Sequence, residues 1–185
     1  MTDLLTPSAV VAFWKEAGPD KWYAKDGAFD ALFRHRTKAA HWGAAARRYD
    51  DWMETAESAL ALMILLDQYP RNSFRGTGHQ FATDALALAF AKQAVARGYL
   101  EQVEPEMRQF FLTPYEHSET LADHDALRAL LDEGLGAELE DVDRFAVIHR
   151  DIIVRFGRFP HRNAALGRVT TVEEQAFLDS GGFGG

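Results

Sequence analysis

The chain has 185 residues, 47% of them hydrophobic, which suits one sizeable core and is short for two, so a single domain over residues 1–180 is the expectation. A formal net charge of −8 makes a general nucleic-acid binder an unlikely class, because neutralising phosphates needs an extended basic surface. The absence of cysteine excludes disulfides, thiolate metal sites and cysteine nucleophiles, and the longest apolar run, Ala59 to Leu66, is far below the ~20 residues that cross a bilayer.

In chain order, helix signals dominate. Thr6-Pro7 reads as an N-cap followed by proline at the first helical position, opening a segment with Val10, Val11, Phe13 and Trp14 that Gly18-Pro19 ends. A second periodic stretch starts near Asp26, places Phe29, Leu32, Phe33 and Arg36 on one side, and runs toward Ala46. Thr55 caps a third helix through Leu66, apolar almost all round and therefore central. A fourth spans about Gln80 to Arg97, with Gly98 as a left-handed C-cap. A short helical piece over Glu104 to Phe111 leads to a turn at Thr113-Pro114, and Ser118 or Thr120 starts the next helix through Leu131. A long helix covers about Glu138 to Phe156. The last is short, announced by the capping box Thr171-Val172-Glu173-Glu174. The glycine-rich end, residues 181–185, has no helical pattern and is expected to be loose. No stretch alternates like a strand, so the expected fold is all-α, with seven or eight helices packed antiparallel.

One local motif occurs twice. Tyr69-Pro70-Arg71-Asn72 and Phe159-Pro160-His161-Arg162-Asn163 each combine an aromatic-proline step with an arginine-asparagine pair, and Arg75 or Arg168 follows with a glycine beside it. Proline disfavours the α conformation in the residue before it, so Tyr69 and Phe159 read as helix exits. Asn72 and Asn163 suit turns, whereas Arg71, Arg75, Arg158 and Arg162 have no such local reason to be there. From Arg144 to Arg168 there are six arginines against one acid, Asp151, a net +5 with no lysine; arginine holds carboxylate or phosphate through a planar fork.

Two titratable side chains fall on apolar helical stripes at ~100° per residue. Asp67 aligns with Leu60, Met63 and Ile64, and His149 with Val142, Phe145, Ala146, Ile152, Ile153 and Phe156. A buried carboxylate needs hydrogen bonds or a cation, and a buried imidazole needs a partner for at least one nitrogen. Structural anchoring and a functional role both satisfy those needs. In Pro114-Tyr115-Glu116-His117-Ser118-Glu119 the three titratable side chains Glu116, His117 and Glu119 suit either a binding loop or ordinary capping. The histidines and carboxylates show no recognised ligand spacing, so no metal site is assigned, and no cofactor is implied.

Three stretches, Leu65-Leu66-Asp67-Gln68-Tyr69-Pro70-Arg71-Asn72 with Phe74-Arg75-Gly76-Thr77, His117-Ser118-Glu119, and His149-Arg150-Asp151 through Arg155 to Asn163, together resemble the family catalogued as domain of unknown function 924. The resemblance extends from Phe13-Trp14 to Phe177-Leu178 and implies an all-helical, tetratricopeptide-like fold. Tyr69 stands where that family usually has Phe.

The functional expectation is a polar pocket for a small anionic carboxylate or phosphate, with Asp67, His117, Glu119 and His149 as acid-base candidates and Arg71, Asn72, Arg75, Arg158, His161, Arg162 and Asn163 as ligand-binding ones. The two proline steps are expected to end neighbouring helices at one polar site. The alternative, of a different class, is a helical module gripping a peptide or protein in a groove. The expected location is the cytoplasm, with no membrane partner and no nucleic acid.

Overall fold

Proline, placed where a helix should break, leaves the longest run of apolar residues in the chain helical across its whole length. In the computed structural model, which describes residues 5–184, helix α4 (Ala56–Met63) passes into one π-helical turn (Ile64–Gln68) and then directly into α5 (Tyr69–Ser73). Pro70 offers no N–H to Leu66 at α spacing or to Leu65 at π spacing. The Tyr69 N–H reaches back to the Ile64 carbonyl, the wider spacing that lets the chain pass the proline ring. Side chains supply the missing donors: His41 Nδ1 lies 2.9 Å from the Leu65 carbonyl, and the Thr83 hydroxyl donates to the Leu66 carbonyl. The expected exit at Tyr69 is therefore corrected. Its φ and ψ of −55° and −46° are helical.

Ten α-helices occur among the described residues, and no strand. Around the central helix, α1 (Pro7–Ala17), α2 (Pro19–Trp22), α3 (Gly27–Ala45) and α6 (Asp84–Ala96) complete most of a first compact unit, residues 1–75 and 79–114. Thr6 caps α1 and Asp26 caps α3 by accepting backbone N–H groups, as the sequence implies. α1 packs on α4, and α3 packs on α5. Trp14, Trp22, Phe29, Phe33 and Phe110 interlock between these helices, with ring centroids 4.9–6.2 Å apart. The fourth helix begins later than expected, at Asp84, behind a 3-10 turn at Gly78–Phe81.

The second unit comprises residues 76–78 and 115–185. Helix α7 (Gln109–Glu116), whose residues 109–114 belong to the first unit, contains Pro114 in its interior, so the expected turn at Thr113-Pro114 is corrected: Tyr115 and Glu116 are helical and only His117 begins the turn. Pro114 sits in the second turn of this short helix, near enough to its start to cost few hydrogen bonds. α8 (Leu121–Asp132) packs on α9 (Glu140–Phe156). Gly157, in the left-handed conformation at φ +68°, ends α9. Phe159 is extended, a 3-10 turn follows at Pro160–Arg162, and α10 (Val172–Asp179) closes with the Thr171–Glu174 capping box. Residues 1–4 and Gly185, the ends of the expected domain and tail, lie outside the described residues. No helix among those described is long and apolar enough to cross a membrane.

Candidate functional site

The structure gathers the candidate residues into one group in each unit. In the first, Asp67 is fully buried and its carboxylate accepts from the Gln68 amide at 2.7 Å and the Thr113 hydroxyl at 3.3 Å, with Arg71 Nη1 at 3.0 Å. Arg71 also grips Asp84 through both terminal nitrogens, at 2.9 and 3.1 Å, and donates to the Asp67 carbonyl. Asn72 and Arg75 converge on Asp30 of α3, at 2.8 and 3.0 Å. The first proline step thus anchors α5 to α3 through the buried Asp30 and to the start of α6 through the half-buried Asp84. Each carboxylate is ringed by the donors that an interior charge requires.

In the second unit the same residue types make a second brace. Glu119 accepts from the Phe159 N–H at 2.8 Å and from the fork of Arg168 at 2.6 and 3.0 Å. Burial alone would raise its carboxyl; the Arg168 fork, the Phe159 N–H and the neighbouring Arg162 charge override that and hold it below the usual carboxylate value. Arg158 clasps Glu174 at 2.6 and 2.8 Å, Asn163 adds a third donor at 3.2 Å, and the Thr171 N–H a fourth. That Arg158 fork and the capping bonds bring Glu174 down to about 2.

Beside that brace lie His149 and His161, with Arg162 close enough to Glu119 to act on its charge. His149 is only 6% exposed, and neither of its ring nitrogens has a hydrogen-bond partner within the protein among the described residues. Its Nδ1 lies 3.7 Å from Glu116 Oε2, a distance that becomes an ion pair only with a protonated ring. Burial opposes protonation first, and the nearby His117, His124, Arg162 and His161 oppose it further, so His149 is driven down to about 3. His161, half-buried with its Nδ1 likewise without a partner, falls to about 4 for the same leading reason, with Arg162 next. Both are therefore neutral imidazoles at physiological pH. Aromatic edges frame them: Phe159 meets His149 at 5.4 Å and His161 at 5.5 Å, and Phe183 meets them at 4.6 and 5.4 Å. Phe183 lies in the glycine-rich end that carries no periodic signal. The Arg162 guanidinium, on a residue only 5% exposed, stacks 4.4 Å above Phe159.

Chemically, this is a pair of neutral imidazoles with the Arg162 guanidinium and the Glu116 carboxylate beside them. No three metal-ligating side chains come together among the described residues.

Sequence reasoning missed several participants. Asp30 and Asp84 were not singled out, and Arg168 and Glu174 were read only as part of the doubled motif and of the capping box, yet these four hold the braces; Asp30 gives a readable signal, since it sits beside Phe29 and before Phe33 on the apolar side of α3. Glu116 was read as part of a loop with His117 and Glu119, whereas it ends α7. His41 was missed altogether. It is fully buried, stacked 4.5 Å from Tyr69, with Nε2 3.3 Å from His79 Nε2, and burial lowers it to about 4.

These observations define an all-helical protein with interior ion-pair braces and a set of buried neutral histidines in its second unit. The chain belongs to the DUF924 family, described as bacterial protein of unknown function, whose model matches residues 10–182. It is also similar to the solved structure of a protein of unknown function from Agrobacterium tumefaciens. The two are 49% identical, the match covers 94% of this chain and 97% of that one, and the TM-score is 0.86. No curated protein matches it.

Proposed function

We propose that the second unit binds a small carboxylate at His149, His161 and Arg162, and that His149 with Glu116 supplies acid-base chemistry to the bound molecule. The observation that carries this reading is His149 itself: a buried imidazole with two nitrogens lacking partners within the protein is a standing cost of about 1–3 kcal/mol for each polar group left unmet. A bound carboxylate would accept from an imidazole N–H and from the Arg162 guanidinium, and the aromatic edges of Phe159 and Phe183 would cover its apolar part. A neutral imidazole is already in the base form. Glu116, 3.7 Å away, would stabilise the imidazolium once His149 takes a proton from the ligand. Asp67, Arg71, Asn72, Arg75, Arg158, Asn163 and Glu119 would act as scaffold in this reading, since each holds an internal ion pair or hydrogen bond.

Isothermal titration against a panel of mono- and dicarboxylates at neutral pH tests the proposal. One-to-one binding that weakens at least about tenfold in Arg162→Gln, the loss of one charge-assisted contact, is the expected result. No binding by any carboxylate, or equal binding by the variant, overturns it.

A further inference from the structure

A second, different place in the molecule collects positive charge that the fold does not neutralise. Ala31, Arg34, His35 and Lys38 stand at i, i+3, i+4 and i+7 of α3, one stripe of the helix. Together with Tyr69 and Phe74 they line a groove of about 300 Å³, at the lower end of the volumes that small-molecule sites occupy. Arg71, Arg75, Arg128, Arg158 and Arg168 each hold a carboxylate. Arg34, His35 and Lys38 hold none among the described residues, in a chain of net charge −8. Among the described residues the Arg34 guanidinium makes one hydrogen bond, from Nη1 to the Ser73 carbonyl at 3.2 Å, which ties the group to the groove wall and leaves its other N–H donors without a protein acceptor there.

The floor adds a further donor. Tyr69 is fully buried, and its hydroxyl has no hydrogen-bond partner of sound geometry among the described residues; Ser73 Oγ lies near it and is equally unsatisfied. Phe74, half-buried, supplies an aromatic wall. A planar carboxylate would be met by the Arg34 fork alone. Two cations from one helix and a phenol from another element fit better an anion that accepts from several directions and carries more than one charge.

From this arrangement we infer that the groove between α3 and α5 binds the phosphate group of a small phosphate monoester, with Arg34 and Lys38 on the phosphate oxygens, Tyr69 as hydroxyl donor and Phe74 against the organic part. The site is separate from the carboxylate site in the second unit and stands or falls independently of it.

The experiment uses the whole chain, titrated calorimetrically with phenyl phosphate, inorganic phosphate and benzoate. Saturable one-to-one binding of phenyl phosphate, tighter than inorganic phosphate, is expected; benzoate reports on the carboxylate site and should bind equally well whether or not Arg34 and Lys38 are replaced. Arg34→Gln with Lys38→Gln should weaken phenyl phosphate binding at least about tenfold, and Tyr69→Phe several-fold. Because Arg34 and Lys38 are exposed, circular dichroism should show their variant folded. Cosedimentation with phosphatidic acid vesicles and not with phosphatidylcholine vesicles would identify the ester as a lipid headgroup; phenyl phosphate binding without cosedimentation would identify a soluble ester. Absence of saturable phenyl phosphate binding, benzoate binding that is lost with Arg34 and Lys38, or undiminished phenyl phosphate binding by the double variant overturns the inference.

Discussion

Replacing His149 with leucine should make this protein more stable. The ring nitrogens of His149 have no hydrogen-bond partner within the protein among the described residues, and each such buried group costs about 1–3 kcal/mol. Leucine removes both costs and is a better helix former in α9. What it forfeits is the edge contacts with Phe159 and Phe183, at 5.4 and 4.6 Å, each worth about 0.5–1.5 kcal/mol. The balance is a gain of about 1–3 kcal/mol, which at roughly 2–4 °C per kcal/mol for a chain this long is a visible rise in Tm. Calorimetry or urea unfolding followed by circular dichroism is the right assay. Tryptophan fluorescence is not, because Trp14, Trp22, Trp42 and Trp52 all lie in the first unit. A loss of more than about 1 kcal/mol, the worth of a made hydrogen bond, would refute the reasoning, since it would mean the imidazole is well satisfied in solution.

Acid should weaken the fold before its carboxylates titrate. His41, His149 and His161 sit at about 4, 3 and 4 in the folded protein, against an ordinary 6.5. The unfolded chain therefore binds more protons between those values, and the stability contributed by the neutral rings is complete above pH 6.5 and is lost as pH falls toward 4. The slope for each fully buried ring is at most about 1.4 kcal/mol per pH unit; urea midpoints measured between pH 7.5 and 5 should fall, less steeply in His149→Leu, and a flat profile would contradict the assignment. The π-helical turn predicts a coupling: Thr83→Val removes the hydroxyl donor to the Leu66 carbonyl and should cost about 1–2 kcal/mol. In a Pro70→Ala background, where an N–H is restored, that cost should shrink, so a double-mutant cycle should show non-additivity, and strict additivity would count against the account of the turn.

Much of the helical plan is legible in the sequence because its signals are local. Thr6-Pro7, Asp26, Thr55, Gly157 and the Thr171–Glu174 box each act within four residues, and each marks a helix boundary. Two of the boundaries misread, Tyr69-Pro70 and Thr113-Pro114, come from reading a proline as a stop. A proline ends a helix only if the carbonyls it strips of donors find none elsewhere, and His41 and Thr83, 24 and 17 residues away in sequence from the carbonyls they serve, supply them for Pro70. No local rule sees that far. The helical wheel did identify Asp67 and His149 as buried, since burial on a periodic face is a local property. Which cation meets which carboxylate is not local: Arg168 reaches Glu119 across 49 residues and Arg75 reaches Asp30 across 45. Phe183 shows the limit most plainly, since composition marks its segment as loose while its ring packs against His149.

The central claim, that His149 and His161 are neutral imidazoles held ready for an anionic ligand, is tested most directly by nitrogen-resolved NMR of the histidine rings, recorded against pH and then against added short carboxylates. The account predicts that both rings stay neutral to below pH 5 in the free protein, and that a binding carboxylate shifts the His149 and His161 nitrogens and raises their pKa values. Titration of His149 near pH 6.5, or nitrogen shifts unmoved by every carboxylate, would contradict it.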